Sequence, residues 1–263
     1  RGDIDLAVGE SSVPVVAVTG TNGKTTVTTL IAAMLEANGV RAGAAGNIGW
    51  AVMDAQQRAF DLLVVEVSSF QLHSTTEAFS PSVSVLLNIA EDHTDWHGSF
   101  GEYSQDKARV FRHQGPADLL VYNSDDPIVA SLALEAPGRT LSFSIDPGAT
   151  SGYRIHNGAL ITPDGDRIAR IADLPLQAPH DLANALAASA AALSRSSADI
   201  RRQMLGLDTI RVLGRVECGR MREQGGGLSA AIDQLDTFQI RRNRQVIGGV
   251  MIAVAIGRQA LVA

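Results

Sequence analysis

A chain of 263 residues, 45% hydrophobic and 19% charged, can bury a substantial core and has the balance of a globular protein. A formal net charge of −6 gives no reason to expect a nucleic-acid partner, because the phosphate backbone demands concentrated lysine and arginine. The one cysteine, Cys218, excludes an internal disulfide and a cysteine-based metal cluster, and a reducing, cytoplasmic compartment is expected.

Arg1–Ser12 is polar, lacks the layout of a secretion signal, and reads as the tail of something that came before. Val15–Val18 is β-branched and apolar enough for a short buried strand. Thr19–Gly23 follows as a tight loop of small residues, and Lys24–Ala37 has helical periodicity. Strand, loop and helix in that order aim backbone N–H groups at one point, where the helix dipole also favours a phosphate. Gly20, Thr21, Asn22, Gly23, Lys24, Thr25 and Thr26 are therefore the candidate nucleotide-binding residues. The two glycines allow close approach, Lys24 supplies a point charge, and the Thr25 hydroxyl can ligate Mg²⁺. The match is to GxxGKT only, with Val18 where a full P-loop has its first glycine, and a plain glycine-rich turn with an exposed lysine is the alternative.

Val40–Ala45 is a second strand, ending in AGNIGW; Asn47 there either offers its amide to a ligand or tolerates a left-handed turn. Asp61–Val67 shows no polar alternation until Glu66, as in a sheet covered on both faces. A carboxylate at that strand tip is costly to bury alone, so Glu66 either binds Mg²⁺ or caps the short helix expected over Ser68–Glu77. Val83–Leu87 is a strand running into the polar loop NIAEDHTDWH. There His93, among Glu91, Asp92 and Asp95, is either a metal ligand or a lone surface histidine. Phe100–Arg112 is helical, and Lys107 lies within its apolar face, pointing into the cleft or covering apolar surface with its stem. Asp118–Tyr122 is a strand, and Asp125–Leu134 a helix that Ser124 could cap. Strands alternating with helices over short connections give the fold class: α/β, with a doubly wound, mostly parallel sheet.

From Arg139 the texture changes to runs alternating in period two, punctuated by Asn157-Gly158 and Asp164-Gly165, which are hairpin signals; a small antiparallel β layer is expected. Pro179–Ser194 returns to a helix, where Asn184 is either an interior hydrogen-bonding residue or a purine contact. A further helix is expected over Ala198–Leu207. The glycines at 225–227 mark a break before a helix over Leu228–Phe238, and Arg241, Arg242 and Arg244 precede an apolar run from Val246 to Ile256. That run is too short to span a membrane; a buried strand or a poorly packed remnant is expected, and no membrane partner.

Taken together, TGTNGKTTVTTL, AGNIG, VVEVSSFQL, LNIAEDHTDWHGSFGEY, KARVF and HDLANALAA, in that order, resemble the Mur ligase family, and the Phe70-Gln71 pair its D-glutamate-adding branch. The resemblance implies a central ATP-binding domain over residues 13–222, with residues 1–12 ending a missing N-terminal domain or linker and residues 223–263 a divergent tail in place of the C-terminal domain. It implies ATP-dependent addition of D-glutamate to UDP-N-acetylmuramoyl-L-alanine in peptidoglycan synthesis through an acyl phosphate, with Mg²⁺ as cofactor, in a monomer. Lys24, Lys107 and His93 become catalytic; Thr25, Glu66, His93 and a carbamylated Lys107 hold metal. Asn184 and Arg215 join the nucleotide-binding set, and Asn47 and Ser68 face the muramoyl substrate.

Departures stand beside the matches: Asp181 where an asparagine is usual, Gly214 where a histidine precedes the arginine, and no counterpart of the family's C-terminal segment beyond Glu217. Little ligase activity is therefore expected of this chain alone. The competing readings are another Mur-type ligase, folylpolyglutamate-synthetase-like or adding a different amino acid, and a truncated, inactive nucleotide-binding module.

Overall fold

The computed structural model describes residues 3–9, 11, 13–92 and 94–194. His93 and Arg215, the helices expected over Ala198–Leu207 and Leu228–Phe238, the break at 225–227 and the apolar run from Val246 lie outside the described residues.

The chain opens with a helix not foreseen in the sequence, α1 (Asp3–Gly9), and enters the sheet at β1 (Val15–Thr19). The long helix α2 (Lys24–Ala37) leads to β2 (Ala42–Gly46), a short α3 (Val52–Gln56) and β3 (Leu62–Glu66). Next come α4 (Ser69–His73), β4 (Val83–Leu86), α5 (Thr94–His97) and α6 (Phe100–Arg112). β5 (Leu119–Asn123), α7 (Pro127–Ala133) and β6 (Arg139–Ser144) follow, then β7 (Tyr153–His156), β8 (Ala159–Ile161), β9 (Arg167–Arg170) and α8 (Pro179–Ser194).

The nine strands of the described residues join one sheet in the order β2-β3-β1-β4-β5-β6-β7-β8-β9. Pairing is parallel from β2 through β7, and antiparallel from β7 to β9. The expected antiparallel part is therefore an extension of the main sheet. β6, whose LSFS alternation suggested that part, instead pairs parallel with β5, because the crossover through α7 returns the chain in the same direction. Asn157 (φ 48°) and Gly158 (φ 71°) make the two-residue turn that sets Ala159 opposite His156.

Successive strand residues point to opposite faces, and both faces are covered. Val16, Val18, Val64, Val85 and Val121 pack in one cluster with Ile31 and Leu35 of α2 and Leu186 of α8. Ala17, Leu63, Val65 and Leu120 pack on the other face with Ile4 of α1, Leu72 of α4 and Val110 and Phe111 of α6. In α8 the buried residues between Ala185 and Ala192 are mostly alanine, which lets this helix sit close to α2. Two caps differ from expectation. Asp126, not Ser124, caps α7 by accepting from the N–H of Ile128 and Val129, since Pro127 at the first helical position sets the start one residue past Asp126. Glu66 caps nothing: Ser68 does so for α4, in a reciprocal capping box with Gln71.

β1 has β3 on one side and β4 on the other, so the sheet grows away from β1 in both directions and a crevice falls at the carboxyl ends of these strands. Among the described residues, no helix is long and apolar enough to cross a membrane.

Candidate functional site

The crevice is floored by the loop from Gly20 to Gly23. Gly23 caps α2 in the left-handed region (φ 85°), and no side chain caps the amides of this helix. A Cβ at Gly23 would stand 2.5 Å from Asn184 Oδ1, so only glycine fits here on both counts. The amides at the head of a helix of this length lie at the crevice, where the helix dipole favours an anion.

Loop shape is fixed from β4. Asn88, just past that strand, accepts from the Asn22 N–H through Oδ1 (2.8 Å) and donates Nδ2–H to the Asn22 carbonyl (2.9 Å). Thr21 N–H donates to the Asn88 carbonyl, and the Thr21 hydroxyl lies 3.0 Å from that of Tyr103 on α6. Lys24 folds over the loop, its Nζ donating to the Gly20 and Thr21 carbonyls, each at 3.0 Å. Lys107 reaches the Gly20 carbonyl from the other side at 2.9 Å. At 2% exposed, Lys107 is no solvated surface lysine. Burial above all, and then the positive charge of Lys24, pulls its pKa down to about 7, against the opposing pull of Asp92.

At the tip of β3, Glu66 is 2% exposed and accepts from the Thr25 hydroxyl (2.9 Å) and the Asn47 amide (3.2 Å). No described lysine or arginine is ion-paired with it. A buried carboxylate ringed by a hydroxyl and an amide is an oxygen-rich donor set that suits a hard divalent cation, so the residues present fit Mg²⁺. Asn47 does not adopt a left-handed conformation; Gly46 (φ 102°) and Gly49 (φ 64°) make that turn, which leaves the Asn47 side chain for Glu66. The Ser68 hydroxyl closes the α4 capping box.

Beside the loop, a cavity of about 410 Å³ is lined by Asn22, Gly23, Thr26, Asn88, Asn123, Phe143, His180 and Asn184, among others. Its floor is mixed, with apolar Leu87 and Phe143 under side-chain amides, as a planar heteroaromatic ring would require. The sequence thus placed Gly20, Thr21, Asn22, Gly23, Lys24, Thr25, Asn47, Glu66, Lys107 and Asn184 in one region, and the structure brings them together. It missed Asn88, Asn123 and Tyr103. Asn88 carried a usable signal, since it follows an apolar strand as Glu66 ends one; Tyr103 reads only as a core aromatic until the fold is known.

A second polar cluster, buried except for His73, lies between α4, α5 and α6. Asp106 Oδ2 accepts from Nδ1 of His97 (2.7 Å) and of His73 (2.8 Å), while Arg109 Nε meets Oδ1 at 3.2 Å. The Nε2 of His97 lies 3.0 Å from the Ser69 hydroxyl. Ser69, His97 and Asp106 have the connectivity of a nucleophilic triad, but Ser69 is 3% exposed and closed to a substrate.

Comparison with known proteins agrees with this architecture. Residues 18–192 match the Mur ligase middle domain. The chain is 43% identical over 196 residues to the UDP-N-acetylmuramoylalanine--D-glutamate ligase of Pelotomaculum thermopropionicum, covering 73% of this chain and 43% of that protein. It is 40% identical over 206 residues to the ligase of the same name from Geobacillus kaustophilus, covering 77% and 45%. The chain thus spans less than half the length of these curated relatives. Among solved structures, MurF from Acinetobacter baumannii superposes with a TM-score of 0.60 at 20% identity, over 80% of this chain and 48% of that one. E. coli FolC, in complex with DHPP and ADP, gives 0.54 at 18% identity, over 79% and 60%.

Proposed function

The chain belongs to the Mur ligase family, and from that premise we propose that it carries the ATP-handling centre of a ligase that adds D-glutamate to UDP-N-acetylmuramoyl-L-alanine in peptidoglycan synthesis. The central domain is taken to run from residue 13 to 222, with residues 1–12 and 223–263 flanking it, in a cytoplasmic, monomeric protein. The observation that carries the reading is the meeting of Lys24 and Lys107 at one carbonyl, that of Gly20, across the crevice from the buried Glu66 and the Thr25 hydroxyl that donates to it.

In this reading the backbone amides at the start of α2 and the Lys24 ammonium bind the β- and γ-phosphates, after Lys24 swings off the loop carbonyls that it now satisfies. Asn184, with Asn123 and Asn88, lines the slot for the base. Thr25 and Glu66 would hold Mg²⁺, with His93 and Arg215 assigned to metal and phosphate on sequence grounds. The metal supplies charge neutralisation on the transferring phosphoryl group.

The muramoyl carboxylate, positioned by Asn47 and Ser68, attacks the γ-phosphorus and ADP leaves, giving an acyl phosphate. The amine of D-glutamate then attacks the acyl carbon and phosphate departs. This chain's contribution is positioning and electrostatic stabilisation. Lys107 has a further part. With a pKa pulled to about 7, a large share of its amine is neutral at physiological pH and nucleophilic toward CO₂, the condition for a carbamate that turns the group from cation to anion.

The test is calorimetric titration with ATP, with and without Mg²⁺, beside an ADP-release assay with both substrates. Mg²⁺-dependent binding is expected; a chain that binds neither ATP nor ADP refutes the reading. Binding with no ADP release under any substrate pair would favour a nucleotide-binding module.

A further inference from the structure

We propose that His73, His97 and Asp106 form a binding site for a divalent transition-metal ion, best suited to Zn²⁺, separate from the nucleotide crevice. The three come from three different short elements: His73 ends α4, His97 ends α5, and Asp106 lies midway along α6. Their nearest ligand atoms, two imidazole nitrogens and one carboxylate oxygen, lie within 4.8 Å of one another. Both histidines turn the same atom, Nδ1, toward the same oxygen, Asp106 Oδ2, at 2.8 and 2.7 Å. Ligands at a tetrahedral zinc stand roughly 3.4 Å apart, so each nitrogen has to draw back from Oδ2 by roughly 0.6–0.7 Å to admit an ion.

The surroundings have what a metal site requires. Arg109 holds the other carboxylate oxygen, fixing Oδ2 toward the histidines. An imidazole that ligates through Nδ1 carries its proton on Nε2, and Ser69 stands 3.0 Å from His97 Nε2, placed to accept that N–H. Two nitrogens and one oxygen favour Zn²⁺, Co²⁺ or Ni²⁺ over Mg²⁺. Three protein ligands leave a fourth position for water, and the solvent route is open because the His73 side chain is 55% exposed while that of His97 is fully buried. Trp96 packs edge-on against both imidazoles, at 5.1 and 4.5 Å between ring centroids, and shields one side. An ion here would clip α4 and α5 to α6, the helix that carries Lys107. The inference stands on these side chains alone and does not depend on the nucleotide reading.

The experiment is Zn²⁺ titration of the chelator-treated, tag-free chain by calorimetry, with Co²⁺ absorption reporting coordination geometry. Saturable binding is expected with a tetrahedral Co²⁺ spectrum. The affinity should fall at least roughly tenfold in His73→Ala, whose exposed position leaves folding intact. It should be unchanged in His156→Ala, an exposed histidine on β7, and in Glu66→Gln, which removes the carboxylate proposed for Mg²⁺. No saturable binding, or binding that His73→Ala leaves intact, overturns the site; loss in Glu66→Gln alone assigns the ion to the crevice and overturns it equally.

Discussion

Lys107, on α6, donates to the carbonyl of Gly20, 87 residues earlier in the chain, at 2.9 Å. This bond joins the helix behind β4 to the loop after β1 at the carboxyl ends of the strands, and it buries an amine beside a second lysine. Its consequences can be measured.

Protonated Lys107 opposes folding, and the sign of the pH effect follows. Below about pH 7 folded and unfolded chains both hold the proton and the full penalty applies. Between about 7 and the ordinary lysine value of 10.5 the unfolded chain binds more protons, so stability rises with pH by on the order of a few kcal/mol in total. Urea unfolding across this range should show that rise, and Lys107→Met should flatten it.

Carbamate formation follows the same amine. Carbon-13 NMR with labelled bicarbonate should show a carbamate resonance that grows from pH 6 to pH 8 and is absent in Lys107→Arg, whose guanidinium stays protonated throughout.

Gly23→Ala should fail on two counts. The left-handed backbone costs a β-carbon about 1–2 kcal/mol, and the added atom meets Asn184 Oδ1 at 2.5 Å. Thermal unfolding should reveal lower stability and calorimetry a loss of nucleotide binding. Adding Asn184→Ala relieves the clash and leaves the backbone strain in place.

Glu66→Gln keeps the shape of the β3 tip and removes its charge. Fold stability should be held or raised, since a desolvated carboxylate is gone, while the Mg²⁺-dependent part of ATP affinity falls at least roughly tenfold. Titrations at fixed ATP and varied Mg²⁺ separate the two effects.

Asp5, fully buried on α1, accepts from the Thr76 N–H at 2.8 Å and from its hydroxyl at 2.9 Å. Asp5→Ala strands those donors and should cost about 1–3 kcal/mol. Hydrogen exchange should then quicken in α1 and in residues 74–79.

Much of this could be read from residue order. Val15–Thr19 and Leu62–Glu66 had to be interior strands because nothing polar interrupts them, and Gly20–Thr25 reads as a candidate anion loop because glycines, lysine and threonines fall at a strand-to-helix turn. Ser124 reads as a cap for α7, but Pro127 at the first helical position makes Asp126 the cap. α1 reads locally as a polar tail, because its helix is held through Asp5 and Thr76, a pairing 71 residues apart.

Local sequence determined the alternation of strands and helices, the two covered faces and the chemistry available at each strand tip, since propensity and periodicity act over a few neighbours. Which tips share a crevice is another matter. That Lys24 and Lys107 meet at Gly20, that Glu66 faces Thr25 and Asn47, and that His73, His97 and Asp106 converge depends on strand order. Strand order is fixed only when the whole chain buries both faces of one sheet, a long-range balance that no short stretch of residues encodes.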